Sequence, residues 1–244
     1  MLLKPKKSLG QNFLHDKNII DKIIHASNIG SNDEILEVGP GTGNLTELII
    51  SQNPKKIDVI EKDKKLASIL EEKFLNKINI ITEDILRLPV EFYSRRKFLI
   101  LGNLPYNIST KILSNWCLNN KLNVSKMILM FQKEVAERIL ANVNSREYSR
   151  ITILSKWKFD IHKITDVRPN SFFPKPKIYS SVLEFTPKTK IHEIKDPKNL
   201  EKITRIFFMH RRKMIKKPFF QLFNGNRKLA SEMGIDLNSR PQNL

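Results

Sequence analysis

Short apolar runs alternate with segments of helical periodicity over the first 186 residues. Each run has the length and the flanking polar residues expected of a buried strand. The runs are Glu34-Ile35-Leu36-Glu37-Val38, Ile57-Asp58-Val59-Ile60, Ile78-Asn79-Ile80-Ile81, Phe98-Leu99-Ile100-Leu101, Met127-Ile128-Leu129-Met130-Phe131, residues 161–167 and Ser180-Ser181-Val182-Leu183-Glu184-Phe185. This alternation predicts an α/β fold, a doubly wound sheet with helices on both faces.

The chain changes character after residue 186. Residues 187–197 are rich in lysine and predict a linker, and apolar positions then recur at helical spacing over residues 203–223. We therefore expect two domains, residues 1–186 and a small helical domain over residues 187–244.

A glycine-rich turn, Gly39-Pro40-Gly41-Thr42-Gly43, follows the first apolar run. Glycine lets the backbone approach a ligand closely and adopt positive φ. The helix expected next, with Asn44 as its N-cap, offers unpaired N–H groups. The spacing differs from the Gly-X-Gly-X-X-Gly of dinucleotide-binding loops. By itself, the turn is a weak indicator of a ligand site.

Carboxylates end the next two apolar runs. Glu61 stands twenty-two residues after Gly39, about where a Rossmann-type site holds the acid that binds the ribose hydroxyls. Asp84 follows the third run and suits an adenine amino group. Either residue alone is better explained as a solvated charge at a strand end. Their recurrence at successive strand ends favours a nucleoside site.

The tetrapeptide Asn103-Leu104-Pro105-Tyr106 follows the fourth run, at the sheet edge where α/β proteins bind ligands. Its amide and carbonyl oxygens can accept hydrogen bonds from an exocyclic amino group, and the tyrosine ring can stack on a base, as base-modifying enzymes require. The alternative is an ordinary proline turn after a strand.

These motifs, taken together, resemble the KsgA/RsmA family of S-adenosylmethionine-dependent adenine dimethyltransferases of small-subunit ribosomal RNA. The pieces follow the family order over about residues 7–217. They are Gly10-Gln11-Asn12-Phe13-Leu14, the run from Glu37 to Thr46, Glu61, Asp84, the run from Asn103 to Ser109, and Phe172-Phe173-Pro174-Lys175-Pro176-Lys177-Ile178. The family usually continues past residue 244, so we expect a shortened C-terminus here.

The resemblance implies a Rossmann-like class I methyltransferase sheet and dimethylation of the N6 amino groups of two adjacent adenines near the 3′ end of 16S ribosomal RNA. It also implies S-adenosylmethionine as cofactor and a pre-assembled small subunit as partner. The donor site would comprise Gln11, Asn12, Leu14, Gly39, Gly41, Glu61, Asp84, Ile85 and Asn103. The catalytic residues would be Asn103, Leu104, Pro105, Tyr106 and Phe172, with Phe172 stacking on the adenine opposite Tyr106.

The charge of the chain fits a nucleic-acid partner. The formal net charge is +18 and the pI is about 9.9, which favours a polyanion. Residues 187–244 hold fourteen Lys/Arg and five Asp/Glu, a net of +9. We expect RNA binding by Arg211, Arg212, Lys213, Lys216 and Lys217, which would lie on more than one side of an ideal helix. The alternatives are a solvated helix face, or an RNA surface on the first domain or at Lys4, Lys6 and Lys7.

The remaining composition narrows the function classes. The single cysteine, Cys117, fits a reducing cytosol and lies in a helical apolar pattern, so we interpret it as a core residue rather than a nucleophile. No Cys/His grouping has zinc spacing, and we expect no metal. Without a long apolar stretch or a signal-like start, we expect a cytoplasmic monomer that does not bind membranes.

Three other functions use some of the same motifs. A nucleotide-dependent dehydrogenase would use the glycine turn. That function would leave unexplained the motif from Asn103 to Tyr106 and the positive charge of residues 187–244. Erm-type methyltransferases of large-subunit RNA usually carry Asn-Ile-Pro-Tyr. A non-catalytic nucleic-acid-binding protein would not need the donor motifs.

Overall fold

The computed structural model describes residues 5–6 and 9–244. Its strands are β1 (Phe13–Leu14), β2 (Glu34–Val38), β3 (Lys56–Ile60), β4 (Asn79–Ile81), β5 (Phe98–Asn103), β6 (Val124–Gln132), β7 (Phe159–Val167), β8 (Phe172–Phe173) and β9 (Ser180–Pro187). Seven of them form a sheet in the order β4-β3-β2-β5-β6-β9-β7. The first five in this order are parallel, and β9 runs antiparallel to both of its neighbours. Strands β1 and β8 form a separate antiparallel pair.

Helices cover both faces of the sheet, which confirms the predicted fold class. They are α1 (Lys17–Ser27), α2 (Asn44–Ser51), α3 (Lys64–Phe74), α4 (Ser109–Leu118), α5 (Lys133–Leu140) and α6 (Arg150–Lys158). Side chains of β5 alternate between the two faces: Phe98 and Ile100 belong to one hydrophobic cluster, and Leu99 and Leu101 to the other. Cys117 is fully buried in the first cluster, as predicted.

The parallel strands end together at one edge of the sheet. Val38 is in register with Ile60 of β3 and with Gly102 of β5, and Ile60 with Ile81 of β4. The chain crosses from one side of β2 to the other between β4 and β5, which opens a crevice above the ends of these strands. The crevice therefore collects the residues that follow each strand.

Three helices follow the sheet, as the apolar periodicity predicted. They are α7 (Pro197–Phe208), α8 (Lys216–Leu222) and α9 (Arg227–Glu232), and they share a small core with Phe207, Ile215, Phe219 and Ala230 buried. This group is attached to the sheet domain by the Arg150–Glu201 ion pair at 2.7 Å and by the Asn144 N–H donating to the Gln242 carbonyl at 2.8 Å.

Two local predictions are wrong. Gly43, not Asn44, is the N-cap of α2, and it adopts φ 81°. A Cβ at Gly43 would lie 2.5 Å from the Phe74 ring, so no other residue fits there. Asn44 is the first helical residue, and its amide donates to the Leu14 carbonyl at 2.8 Å.

Of the five predicted RNA-binding cations, Arg211, Arg212 and Lys213 are not helical, whereas Lys216 and Lys217 begin α8. Residues 209–214 form a turn between α7 and α8, closed by the Lys213 N–H donating to the His210 carbonyl at 2.7 Å. The next residue, Ile215, is fully buried, and its N–H donates to the Ser239 carbonyl at 2.9 Å. Burial of Ile215 thus fixes the turn and leaves most of its cations exposed.

Two classes of feature are absent from the described part of the chain. None of its helices has the length and apolar character needed to cross a bilayer. None of its His, Cys, Asp and Glu side chains gather in a group of three or more that could hold a metal ion.

Candidate nucleoside and methyl-donor site

A cavity lies in the crevice at the carboxyl edge of the sheet. It is lined by the residues that follow β2 to β5 and by residues 9–14 of the N-terminal segment. The structure brings twelve sequence-predicted site residues together around it: Gln11, Asn12, Leu14, Gly39, Gly41, Glu61, Asp84, Ile85, Asn103, Leu104, Pro105 and Tyr106. Phe172 is not among the lining residues.

The glycine turn is held tightly between β5 and β1. Gly39 adopts φ 71°, and a Cβ there would lie 3.1 Å from the Asn103 carbonyl oxygen. Gly41 adopts φ 59°, and its Cβ would lie 2.7 Å from the Phe13 ring. Glycine at both positions lets the turn reach these neighbours and presents bare backbone to the cavity.

Glu61 is a buried carboxylate at the end of β3. Its side chain is 7% exposed, and its Oε1 accepts the Asp63 N–H at 2.8 Å. Burial raises the pKa of Glu61, while the bond from the Asp63 N–H opposes the rise. Backbone hydrogen bonds from Gly41 and Lys62 also favour its ionised form, and an ionised carboxylate at the cavity wall can accept from ligand hydroxyls.

Glu37 is a second buried acid in the lining, and sequence reasoning did not single it out. It is 1% exposed, and its Oε2 accepts from the Thr46 hydroxyl at 2.7 Å. Burial raises the pKa of Glu37 to about 7, which the Thr46 bond opposes and the nearby Glu61 reinforces. The sequence feature that could have identified Glu37 is an acidic residue within an otherwise apolar strand.

Asp84 and Ile85 form the wall beyond the end of β4. Burial alone would raise the pKa of Asp84, but hydrogen bonds from the Leu86 N–H at 2.9 Å and the Lys62 ammonium at 2.9 Å hold it below its usual value. Each of its oxygens retains a second lone pair for a ligand amino group. Ile85 is nearly buried and adds an apolar surface.

Asn103 is anchored through its amide nitrogen. The Nδ2 group donates to the Asn12 carbonyl at 2.9 Å. This bond fixes the orientation of the amide and therefore the position of the side-chain oxygen, Oδ1. None of the described residues donates a hydrogen bond to that oxygen or to the Leu104 carbonyl. The strand end thus presents two neighbouring acceptors that lack protein donors. The Pro105 carbonyl is used by the Ile108 N–H at 3.1 Å.

Tyr106 lines the cavity with its ring held by one hydrogen bond. Its hydroxyl lies 2.6 Å from the Ser180 Oγ. Burial raises the pKa of Tyr106, with the Ser180 bond opposing the rise, so the phenol stays neutral at physiological pH. Ser180 is fully buried at the start of β9, and only the fold reveals that it reaches Tyr106.

Phe172, which the family resemblance predicts to stack on the target adenine, is buried in this structure. Phe172 is 3% exposed and packs in the same hydrophobic cluster as Leu14, with which it is paired in register. Side chains alternate along extended backbone, so the neighbouring Phe173 points outward and is 61% exposed.

Asp63 binds the N-terminal segment beside the cavity through contacts with Lys6 and Gln11. The sequence alone did not predict these contacts. The Oδ1 of Asp63 is 2.8 Å from the Lys6 ammonium, and its Oδ2 accepts from the Gln11 amide at 3.0 Å. Oδ1 also caps α3 by accepting the Lys65 N–H at 3.1 Å. Because the Asp63 N–H bonds Glu61, one residue links the buried acid to the segment that covers it.

The predicted RNA-binding cations lie in the turn between α7 and α8 and at the start of α8. Four of them, Arg212, Lys213, Lys216 and Lys217, line a shallow depression together with Met214, Phe220 and Arg240. Arg211 is half-buried in the same turn. Of the alternative surface, Lys4 and Lys7 lie outside the described residues, and Lys6 is engaged by Asp63.

Comparison with known proteins identifies the family. The family model for ribosomal RNA adenine dimethylase matches residues 2–244. Ribosomal RNA small subunit methyltransferase A of Pelagibacter ubique (strain HTCC1062) is 54% identical, with 100% of this chain and 94% of that protein aligned. The protein of the same name from Wolbachia sp. subsp. Drosophila simulans (strain wRi) is 39% identical over 100% of this chain and 90% of its own length.

A solved structure agrees with this assignment. The dimethyladenosine transferase of Plasmodium falciparum superposes with a TM-score of 0.74 at 28% identity, over 95% of this chain and 92% of that one. The resemblance inferred from the motifs is thereby confirmed: the chain belongs to the ribosomal RNA adenine dimethylase family.

Proposed function

We propose that the chain transfers methyl groups from S-adenosylmethionine to the N6 amino groups of two adjacent adenines near the 3′ end of 16S ribosomal RNA. The observation that carries the proposal is the pair of unengaged acceptors, Asn103 Oδ1 and the Leu104 carbonyl, at the cavity above the carboxyl edge of the sheet. An exocyclic amino group has two N–H donors, which match these two acceptors.

The lining also fits the proposed donor. Glu61 would accept the ribose hydroxyls, Asp84 would accept the adenine amino group, and Ile85 would pack on the adenine ring. The remaining contacts would come from Gln11, Asn12, Leu14, Gly39, Gly41 and Asn103. The close approach of the glycine turn, where a Cβ would clash, supports a ligand lying against bare backbone. When bound, S-adenosylmethionine supplies an electrophilic methyl group on a sulfonium.

The protein's part in the chemistry is positioning. The adenine amino nitrogen is a poor nucleophile because its lone pair is delocalised into the ring. Bonds from its two N–H groups to Asn103 and Leu104 favour pyramidal geometry and direct the lone pair along the line of attack. The bond between Asn103 and Asn12 fixes the amide in the accepting orientation. After the first transfer, the remaining N–H can still be held by one of the two acceptors.

No strong base is required, because the proton becomes acidic only after the methyl group has been transferred. No histidine lines the cavity among the described residues. Tyr106 would stack on one face of the target adenine. Phe172, which resemblance assigns to the other face, would have to leave the core to do so.

The substrate context follows from the relatives. The name of these relatives specifies the small subunit, which supports small-subunit RNA over the large-subunit RNA of Erm-type enzymes. We propose residues 1–186 as the catalytic domain and residues 187–244 as an RNA-docking domain that binds through Arg211, Arg212, Lys213, Lys216 and Lys217. A cytoplasmic monomer acting on the pre-assembled small subunit completes the proposal.

The test is methyl transfer to isolated small subunits, read by mass spectrometry of the RNA with labelled S-adenosylmethionine. We expect label in two adjacent dimethyladenosines. Asn103→Ala should lower single-turnover methylation about 10²-fold or more, with little change in RNA binding. Asn120→Ala, an exposed amide between α4 and β6, is the matched control.

Two results would contradict the proposal. RNA that binds without acquiring label would favour a non-catalytic RNA-binding protein. An Asn103→Ala rate within about threefold of the native rate would remove the amino-group acceptors from the mechanism.

A further inference from the structure

Two aromatic side chains stand exposed beside the cavity. The chain has two Trp, four Tyr and fourteen Phe, and of these only Phe173 and Tyr179 are exposed, by 61% and 49%. They begin and end one loop, residues 173–179, in which Ile178 is also 42% exposed. Every other ring is buried or half-buried. Two exposed rings in a single loop indicate a docking surface rather than scattered surface apolarity.

The loop begins and ends at the wall of the cavity. Phe173 is in register with Phe13, whose ring contacts the Gly41 position of the glycine turn. Tyr179 precedes Ser180, the residue that holds the Tyr106 hydroxyl. The buried neighbours, Phe172 and Ser180, face inward. Each exposed ring is therefore one residue away from a buried residue at the edge of the site.

The charge of the loop is positive throughout. Lys175 and Lys177 are exposed between the two rings, and the loop has no Asp or Glu. Neither lysine forms an ion pair with any of the described residues. Cations interleaved with aromatic rings are the combination that holds single-stranded nucleic acid, through phosphate contact and base stacking.

We propose that the 173–179 loop binds the single-stranded nucleotides next to the target adenine. Phe173 and Tyr179 stack on flanking bases, and Lys175 and Lys177 contact phosphates. This inference rests on the proposed function, because an adenine taken into the cavity leaves neighbours that have lost a stacking partner. The loop replaces the lost stacking at the mouth of the site.

The direct test measures binding of single-stranded oligoribonucleotides that contain two adjacent adenines, with 2-aminopurine at a flanking position. Phe173→Leu with Tyr179→Leu keeps apolar bulk but removes both aromatic faces. We expect about tenfold weaker binding per ring and loss of the 2-aminopurine quenching. Phe173→Tyr with Tyr179→Phe keeps both rings and should bind as the native chain does. An oligonucleotide without flanking nucleotides should not distinguish the variants.

The lysines are tested by salt dependence. Lys175→Gln with Lys177→Gln should flatten the slope of log affinity against log salt by about 1.4, from about 0.7 per single-strand phosphate contact. Lys77→Gln with Lys97→Gln is the matched control, since both residues are exposed before β4 and β5, at the opposite edge of the sheet. If both pairs flatten the slope equally, net charge is the cause and the loop makes no specific contact.

The outcomes separate this inference from the proposed function. Native-like quenching and affinity in the double Leu variant would overturn the loop proposal while leaving methyl transfer intact. Weaker binding to small subunits with unchanged oligonucleotide binding would assign the loop to a protein partner and also overturn it. Failure of the native chain to methylate small subunits would instead overturn the proposed function.

Discussion

Donor affinity should depend on pH through Glu37. S-adenosylmethionine carries one net positive charge, and Glu37 is a buried acid in the wall of the proposed donor cavity. Burial raises the pKa of Glu37 to about 7. A cation in the cavity favours the ionised carboxylate of Glu37. At low pH the Glu37 carboxyl group must therefore lose its proton before the cation binds, and this lowers the affinity.

The expected magnitude follows from that pKa. Glu37 is about 90% ionised at pH 8 and about 10% ionised at pH 6 for a pKa of about 7. Affinity for S-adenosylmethionine should therefore fall about tenfold from pH 8 to pH 6, or about 1.4 kcal/mol. S-adenosylhomocysteine, which lacks the sulfonium charge, should show a shallower dependence.

Isothermal titration calorimetry in buffers of different ionisation enthalpy measures both the affinity and the protons released. Glu37→Gln removes the titrating group while keeping an acceptor for the Thr46 hydroxyl, and circular dichroism checks its fold. The pKa of Glu61 is also raised by burial, so the difference between the native and variant profiles isolates Glu37. Full pH dependence of the affinity in Glu37→Gln would refute a role for Glu37 in donor binding.

Three further predictions follow. Glu61→Ala should weaken S-adenosylmethionine binding about tenfold or more, because two charge-assisted bonds to the ribose hydroxyls are lost; unchanged affinity by calorimetry would remove Glu61 from the site. Replacing Arg211, Arg212 and Lys213 with Gln should flatten the salt slope of small-subunit binding by about 2 and leave donor affinity unchanged; an unaltered slope would make the cluster a solvated surface. Since the pKa of Glu37 rises from 4.5 to about 7 on folding, the unfolded chain loses this proton at lower pH than the folded chain does. The free energy of unfolding of the ligand-free protein should therefore fall by up to about 3 kcal/mol as the pH rises from 4.5 to 7. Thermal unfolding at pH 8 should then occur at higher temperature in Glu37→Gln than in the native chain, and equal midpoints would contradict this.

Sequence reasoning succeeded where one strand is enough to place a residue. Glu61, Asp84 and Asn103 follow or end predicted strands, and parallel strands bring such positions to a common edge. Apolar runs and helical spacing locate those strands because burial on each face requires the periodicity. These three lining residues could therefore be predicted without any knowledge of side-chain contacts.

Sequence reasoning failed where a residue's role depends on a distant partner. The inward orientation of Phe172 is set by its pairing with β1, and the position of Asn44 by its bond to Leu14. The bond between Asp63 and Gln11, and that between Tyr106 and Ser180, join residues that no local pattern connects. Such contacts depend on how the elements pack, which hydrophobic periodicity does not specify.

The pairing of β1 with β8 sets an order of events during synthesis. Leu14 of β1 pairs with Phe172 of β8, about 160 residues later in the chain, so during synthesis β1 must wait for most of the sheet domain before its partner strand is made. Contacts of such long separation form late in folding. We expect a nascent chain that ends before residue 172 to contain the glycine turn and both buried acids, yet to bind the methyl donor weakly. The ability to bind the donor would thus arise only once translation of the sheet domain is almost complete.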